Sequence, residues 1–106
     1  MRIQIKATAF ELTPSLQSFI EEKFGSLEKF LGRWDENDAV IFRVEVSKNT
    51  KHHQKGNVFY GEVNVDLPKN VLRVEEVGDE MHAVIDRLKD RLKNELLRIK
   101  EKATEH

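Results

Sequence analysis

The sequence contains no cysteine. Disulfide frameworks, thiolate nucleophiles and cysteine-based zinc sites are therefore excluded. Proline is scarce, at two residues, and the five glycines are dispersed, so no glycine-rich phosphate loop can be assembled. No apolar run is long enough to span a membrane, and no signal-peptide pattern is present. This predicts a cytoplasmic protein with no membrane partner. No Ser or Thr sits in a nucleophile-elbow setting. The acidic pairs Glu21-Glu22, Glu75-Glu76 and Asp79-Glu80 are immediate neighbours, whose side chains diverge on a helix or strand. They do not form a general acid–base pair. His52-His53 has no Asp or Glu within its loop, short of the three or four converging ligands a metal needs. The expectation is a protein that is not an enzyme, with no metal, no cofactor and no small-molecule substrate.

What is abundant is charge. Asp, Glu, Lys and Arg make up 35% of the chain, against about 25% in an average soluble protein. The 106 residues suit one domain with a modest core, and a hydrophobic share of 39% excludes wholesale disorder. The formal net charge of −1 conceals segregation. Residues 86–102 hold seven Lys/Arg against four Asp/Glu, and residues 48–55 hold three Lys and no acid. A basic patch on an acidic body is one reading, and a solvated helix face is the other.

Hydrophobic periodicity supplies the architecture. Residues 2–9 alternate, with Ile3, Ile5 and Ala7 on one face, as in a half-buried strand. Thr13 is a good N-cap and Pro14 a good first helical residue. The helix they open buries Leu16, Ile20, Phe24, Leu27 and Leu31, with Phe19 and Phe30 widening the stripe, and stops at Gly32. Residues 33–39 are a polar connection. Residues 39–47, 58–67 and 71–76 read as three more strands, with residues 48–57 as a basic loop. Inward positions are Val40, Phe42, Val44 and Val46, then Phe59, Val63, Val65 and Leu67, then Leu72 and Val74.

The last third, from Gly78 to Lys102, reads as one amphipathic helix with Gly78 and Asp79 at its start. Its apolar stripe is Met81, Val84, Ile85, Leu88, Leu92, Leu96 and Ile99. Arg87, Arg91, Asn94 and Arg98 line one flank, and His82, Lys89, Lys93 and Lys100 line the other. The predicted fold is α+β: a two-layer βαβββα domain, with two helices on one face of a four-stranded sheet. The first two strands are parallel if they are neighbours.

Arginine is suited to phosphate because its charge is permanent and its fork bidentate. Arg87, Arg91 and Arg98 span about 16 Å of helix, several phosphate spacings. Aromatics for stacking are sparse outside the core, with Tyr60 and Trp34 the only candidates, and each reads better as a rim or packing residue. The pattern therefore favours folded RNA over single strands. On pattern alone, RNA binding and a protein-interaction module whose basic helix docks on an acidic partner stand about even.

Two stretches resemble the signatures of ribosome hibernation factors, the ribosome-associated inhibitor or sigma-factor-modulation family. One is "ELTPSLQSFIEEKFGSLEKF", with Thr13-Pro14 and Leu27-Glu28-Lys29-Phe30 as matching positions. The other is Glu80-Met81-His82-Ala83-Val84-Ile85-Asp86, opening a basic helix. The resemblance covers nearly the whole chain. It implies a layout similar to double-stranded RNA-binding domains. It also implies binding to small-subunit ribosomal RNA near the tRNA and mRNA sites, inhibiting translation in stationary or stressed cells. Matching basic positions are Lys23, Lys29, Arg91, Arg98 and Lys102; periodicity adds Arg87. Lys89, Lys93, Lys100, Lys48, Lys51 and Lys55 form a secondary set. The chain departs from the family at Gln17, Ser26 and Asn94, where basic residues are frequent, and at His82, where Tyr is usual. Fewer positive positions imply weaker or more salt-sensitive RNA binding. The resemblance is to short members, a single domain over 1–106 without the C-terminal dimerisation domain of long ones. A generic binder of double-stranded RNA is the remaining alternative.

Overall fold

Four alternating segments pair into one sheet in the order in which they occur along the chain. The computed structural model describes residues 1–49, 56 and 58–104. The strands are β1 (Arg2–Thr8), β2 (Ile41–Asn49), β3 (Val58–Asp66) and β4 (Val71–Gly78); the helices are α1 (Pro14–Gly25) and α2 (Met81–Thr104). β1 and β2 are parallel, as expected for neighbours joined through a helix, and β2–β3 and β3–β4 are antiparallel. Among the described residues no helix is long and apolar enough to cross a membrane.

The register explains the core. Ile5, Val44, Val63 and Val74 form one row across the sheet, and Ile3, Phe42, Val65 and Leu72 form the next. Because side chains alternate, these rows face the helices while their neighbours face water. Ile20 and Phe24 of α1, and Val84, Ile85, Leu88, Leu92 and Leu96 of α2, are fully buried against them. Burying each such side chain contributes roughly 1.5–3 kcal/mol. Gly61 lies in the row below Val63, and a Cβ there would stand 2.7 Å from Leu88 Cδ1 and 3.0 Å from Val84 Cγ1. Its missing side chain lets α2 settle onto β3.

Several boundaries differ from the sequence expectation. α1 stops at Gly25 instead of running to Gly32. Ser26 Oγ donates to the Lys23 carbonyl (2.6 Å) and Ser26 N–H to the Glu22 carbonyl (3.1 Å). The chain then tightens into 3₁₀ turns at Glu28–Phe30 and Gly32–Asp38, the latter where a plain polar connection was expected. Leu27 and Leu31 remain buried because a tighter turn still returns them to the core face. β2 reaches Asn49, so Lys48 belongs to a strand and not to the basic loop. β4 extends through Gly78, which is therefore not a helix start. Glu80 opens α2 instead. Its carboxylate accepts the backbone N–H groups of Ala83 (2.8 Å) and His82 (3.3 Å), and these bonds hold its pKa below the usual range.

Candidate nucleic-acid interface

α2 carries two basic flanks, and the fold gives them different neighbours. The lysine flank faces α1 and the 3₁₀ turns. Lys23, on the last turn of α1, reaches across to Asp86 of α2 (3.0 Å) and lies 5.3 Å from the centre of the Phe19 ring. Further along, Lys29 and Lys93 approach one ring from two elements, at 5.4 Å and 5.6 Å from the centre of Phe30. Lys100 stands 6.0 Å from the centre of Trp34. At the start of the row His82 packs edge-on against Phe19, with ring centres 4.4 Å apart. From Lys89 to Lys100 the row extends about 16 Å along the helix.

This arrangement follows from local sequence. Phe19, Phe30 and Trp34 sit at the margin of the buried stripe and are only partly buried. An aromatic edge left at the surface attracts cations, each contact worth about 0.5–1 kcal/mol at exposed sites. Lys93 and Lys100, seven residues and so about two turns apart on α2, meet Phe30 and Trp34 in turn. The result is a lysine groove, the seam where α2 meets α1 and its 3₁₀ turns, edged by these rings and carrying ammonium groups from both sides.

The arginine flank lies over β4, the sheet edge. Arg87 Nε and Arg91 Nη1 both reach the Glu76 carboxylate, at 3.2 Å and 2.9 Å. Arg87 Nη2 also donates to the Val77 carbonyl (3.1 Å), and Arg91 Nη1 to the Glu75 carbonyl (2.6 Å). Two of the best candidates from sequence are thus occupied in closing an open strand edge. Gly78 makes room for this, because a Cβ there would stand 2.5 Å from Arg87 Nη2. Arg98 pairs with Glu95 one turn earlier (2.6 Å), and Lys102 is exposed in the final turn.

The structure therefore brings Lys23, Lys29, Lys93 and Lys100 to one groove, with Lys89 on the same flank beside Asp90 (3.6 Å). It separates them from Arg87 and Arg91. Lys48 leaves β2 on the helix-covered side, with the parity of Val44 and Val46. Lys51 and Lys55, with His52 and His53, lie outside the described residues. The departures from the family pattern acquire local roles: Ser26 caps α1, and Gln17 Nε2 donates to Glu21 (3.4 Å). Asn94 is exposed between the two arginine positions. Among the described residues no cluster of three or more His, Asp or Glu could hold a metal.

One partner of the arginine flank is implied by strand alternation. Glu76 has the parity of Leu72 and Val74, so it points to the helix side of an edge strand, where a carboxylate needs a cationic partner. The sequence also sets Lys23 between Phe19 and Phe30 on the widened side of the stripe, and the structure holds its ammonium over Phe19.

The uncovered face of the sheet is polar and of mixed sign. Gln4, Arg43, Asn64 and Arg73 form one cross-strand row, and Lys6, Glu45, Glu62 and Glu75 the next. Glu62 is its best-organised group. It accepts from Asn64 Nδ2 (3.1 Å), Tyr60 O–H (3.0 Å) and Arg73 Nη2 (3.3 Å). The Asn64 amide first, then Tyr60 and Arg73, hold its carboxyl below the usual range against the opposing effect of burial. Burial and the same carboxylate push the Tyr60 phenol up.

Comparison with known proteins adds three kinds of likeness. The family described as "Sigma 54 modulation protein / S30EA ribosomal protein" matches residues 3–104. A "Ribosome hibernation promoting factor" of Klebsiella oxytoca is 27% identical over 106 residues, covering all of both chains. A "Ribosome hibernation promotion factor" of Staphylococcus aureus is 27% identical over 100 residues, and there the match spans only 48% of the relative's length. The solved N-terminal domain of Thermus thermophilus Protein Y superposes with a TM-score of 0.76 at 27% identity, covering 93% of this chain and 99% of that one.

Proposed function

The chain belongs to the Sigma 54 modulation protein / S30EA ribosomal protein family, and from that premise we propose that it is a ribosome hibernation factor. It acts without catalysis, in the cytoplasm, by occupying ribosomal RNA of the small subunit near the tRNA and mRNA sites and so inhibiting translation in non-growing cells. The observation that carries the reading is the groove in which Lys23 and Lys29, from α1 and the turn after it, converge with Lys93 and Lys100 of α2. Ammonium groups from two rigid elements match the closely spaced phosphates of folded RNA, and duplex-like RNA is recognised mainly through shape and backbone.

We assign the first contacts to Lys23, Lys29, Lys89, Lys93 and Lys100. Arg98 and Lys102 continue the basic surface towards the helix end. Arg87 and Arg91 hold the sheet edge and contribute mainly through long-range charge. The decisive experiment is sedimentation of the purified chain with separated small and large ribosomal subunits at low salt. Co-migration with the small subunit is expected, together with inhibition of translation in a reconstituted reaction. A chain that stays at the top of the gradient with both subunits refutes the reading. Equal affinity for an arbitrary RNA duplex would reduce it to general duplex binding.

A further inference from the structure

The lysine groove ends at a pocket that phosphate binding does not use. Trp34, Leu67, Pro68, Lys69, Asn70 and Ile99 line an open cavity of about 310 Å³. Three elements build it: the second 3₁₀ turn supplies Trp34, the β3–β4 turn supplies residues 67–70, and the last turns of α2 supply Ile99. The turn is closed by the Leu67 N–H donating to the Asn70 carbonyl (2.8 Å), with Pro68 between them. Its floor and walls are apolar, since Leu67 is buried and Trp34 and Ile99 are packed against the core. Its rim is basic: Lys69 lines it, and the Lys100 ammonium stands by the Trp34 ring.

We propose that this pocket receives one unstacked nucleobase from an RNA strand whose backbone runs along the lysine groove. The proposal rests on the RNA-binding reading and adds to it a site for a base. Cavity size is at the lower limit of small-molecule pockets, roughly 300–1,000 Å³, which suits a single ring system and not a longer ligand. An indole wall provides a stacking surface that any base can use. Lys69 and Lys100 stand where the flanking phosphates of a base inserted beside Trp34 would lie. The Asn70 side chain, exposed on the rim, offers an amide that pairs with a base edge, adenine N6 and N7 in particular. Folded ribosomal RNA presents such bases in its loops and bulges, while a perfect duplex does not. Sequence reasoning placed Trp34 as a rim or packing residue; the structure makes it the wall of a cavity and sets the Lys100 ammonium of the lysine row by the same ring.

Trp34 is the only tryptophan, so its fluorescence reports on the pocket directly. The intact chain is titrated with a single-stranded oligoadenylate and, separately, with a perfectly paired RNA duplex of equal length. The expected result is quenching by the single strand and little by the duplex, even where anisotropy of a labelled duplex shows it bound. Trp34→Leu should weaken binding of the labelled single strand by roughly 5- to 150-fold, the span of one stacked base, while Trp34→Phe retains most of the affinity. Asn70→Ala and Lys69→Gln, on the exposed turn, serve as second variants that leave the core alone. Each should weaken the single strand more than the duplex. RNA binding without quenching, unaffected by Trp34→Leu or by the two turn variants, overturns the base site and leaves the groove reading intact. Absence of binding to oligoadenylate, duplex and ribosomal subunits alike overturns both.

Discussion

Neutralising the lysine groove and the arginine flank of α2 separately should produce opposite pairs of effects. Consider Lys29→Gln with Lys93→Gln, and Arg87→Gln with Arg91→Gln. In the lysine pair, both ammonium groups address the one Phe30 ring, at 5.4 Å and 5.6 Å. Each contact contributes about 0.5–1 kcal/mol, and removing two like charges near one ring offsets part of that loss. The net change in stability should stay within about 0.5 kcal/mol, as for ordinary surface changes. In the arginine pair, the Glu76 carboxylate is only 21% exposed and loses both cationic partners, while the Glu75 and Val77 carbonyls lose their donors. Partly exposed ion pairs contribute about 0–1 kcal/mol each, so a loss of about 1–2 kcal/mol is expected. At about 4–8 °C per kcal/mol for a domain near this size, the melting temperature should fall by about 4–16 °C.

Binding should move the other way. Each phosphate contact removed lowers the slope of log affinity against log salt by about 0.7–0.9. The lysine pair should therefore flatten that slope by about 1.4–1.8, and the arginine pair by less than about 0.5 because Glu76 already engages both guanidinium groups. The assay is binding of labelled protein to small ribosomal subunits across a salt series, with thermal melts of the same samples. If the arginine pair flattens the slope by 1.5 or more while the melt is unchanged, the RNA-facing side of α2 has been misassigned and the argument from the groove fails.

Three further perturbations test the fold that positions the groove. Gly61→Ala forces a Cβ against Leu88 and Val84, both fully buried, so it should destabilise by about 1–3 kcal/mol in chemical denaturation; an unchanged midpoint would show that α2 does not seat on β3 through this glycine. Ala9→Gly, at a position with φ of 66°, should stabilise or be neutral, because the left-handed conformation costs an L-residue about 1–2 kcal/mol; clear destabilisation would refute that backbone assignment. The folded-state pKa of Glu62 is depressed, so its contribution to stability is present above the unfolded value of 4.5 and is lost as pH falls through the folded value. Glu62→Gln should flatten the acid limb of a stability–pH profile below about pH 4.5 and leave its neutral limb parallel to that of the parent chain; identical acid limbs would exclude the carboxylate network.

Much of this fold was legible because its strands are amphipathic and its helices obey one period. Val44, Val63 and Val74 could be assigned to the core from alternation alone, and their alignment in one row follows once the strands pair in sequence order. The end of α1 was not legible. Leu27 and Leu31 fit the spacing of a continued helix, and the same residues stay buried when the chain tightens into 3₁₀ turns. Periodicity does not distinguish the two when the burial pattern survives. The basic flanks were legible as flanks and not as neighbours. Which flank meets the sheet edge and which meets α1 depends on the order of strands beneath α2, a property of the whole chain.

That dependence explains why equal charge density on two sides of one helix leads to different chemistry. The β4 edge offers carbonyls with no strand to pair them and one inward-facing carboxylate, Glu76; guanidinium groups satisfy both and discourage pairing with another chain. Arginine suits this task because its fork reaches two acceptors from one side chain, as Arg87 does through Nε to Glu76 and Nη2 to the Val77 carbonyl. The opposite side faces α1 and the 3₁₀ turns and offers aromatic margins. There lysines lie over Phe19, Phe30 and Trp34 on long aliphatic stems. An ammonium group resting on a ring edge keeps charge that an incoming polyanion can share, as Lys29 and Lys93 do over Phe30. Lys23 and Lys89 also meet carboxylates, Asp86 and Asp90, and those bonds must be given up or shared. A chain of net charge −1 can thus present a phosphate-binding groove, because its Lys and Arg side chains are divided by neighbour: arginine where the fold needs closing, lysine where a partner can compete.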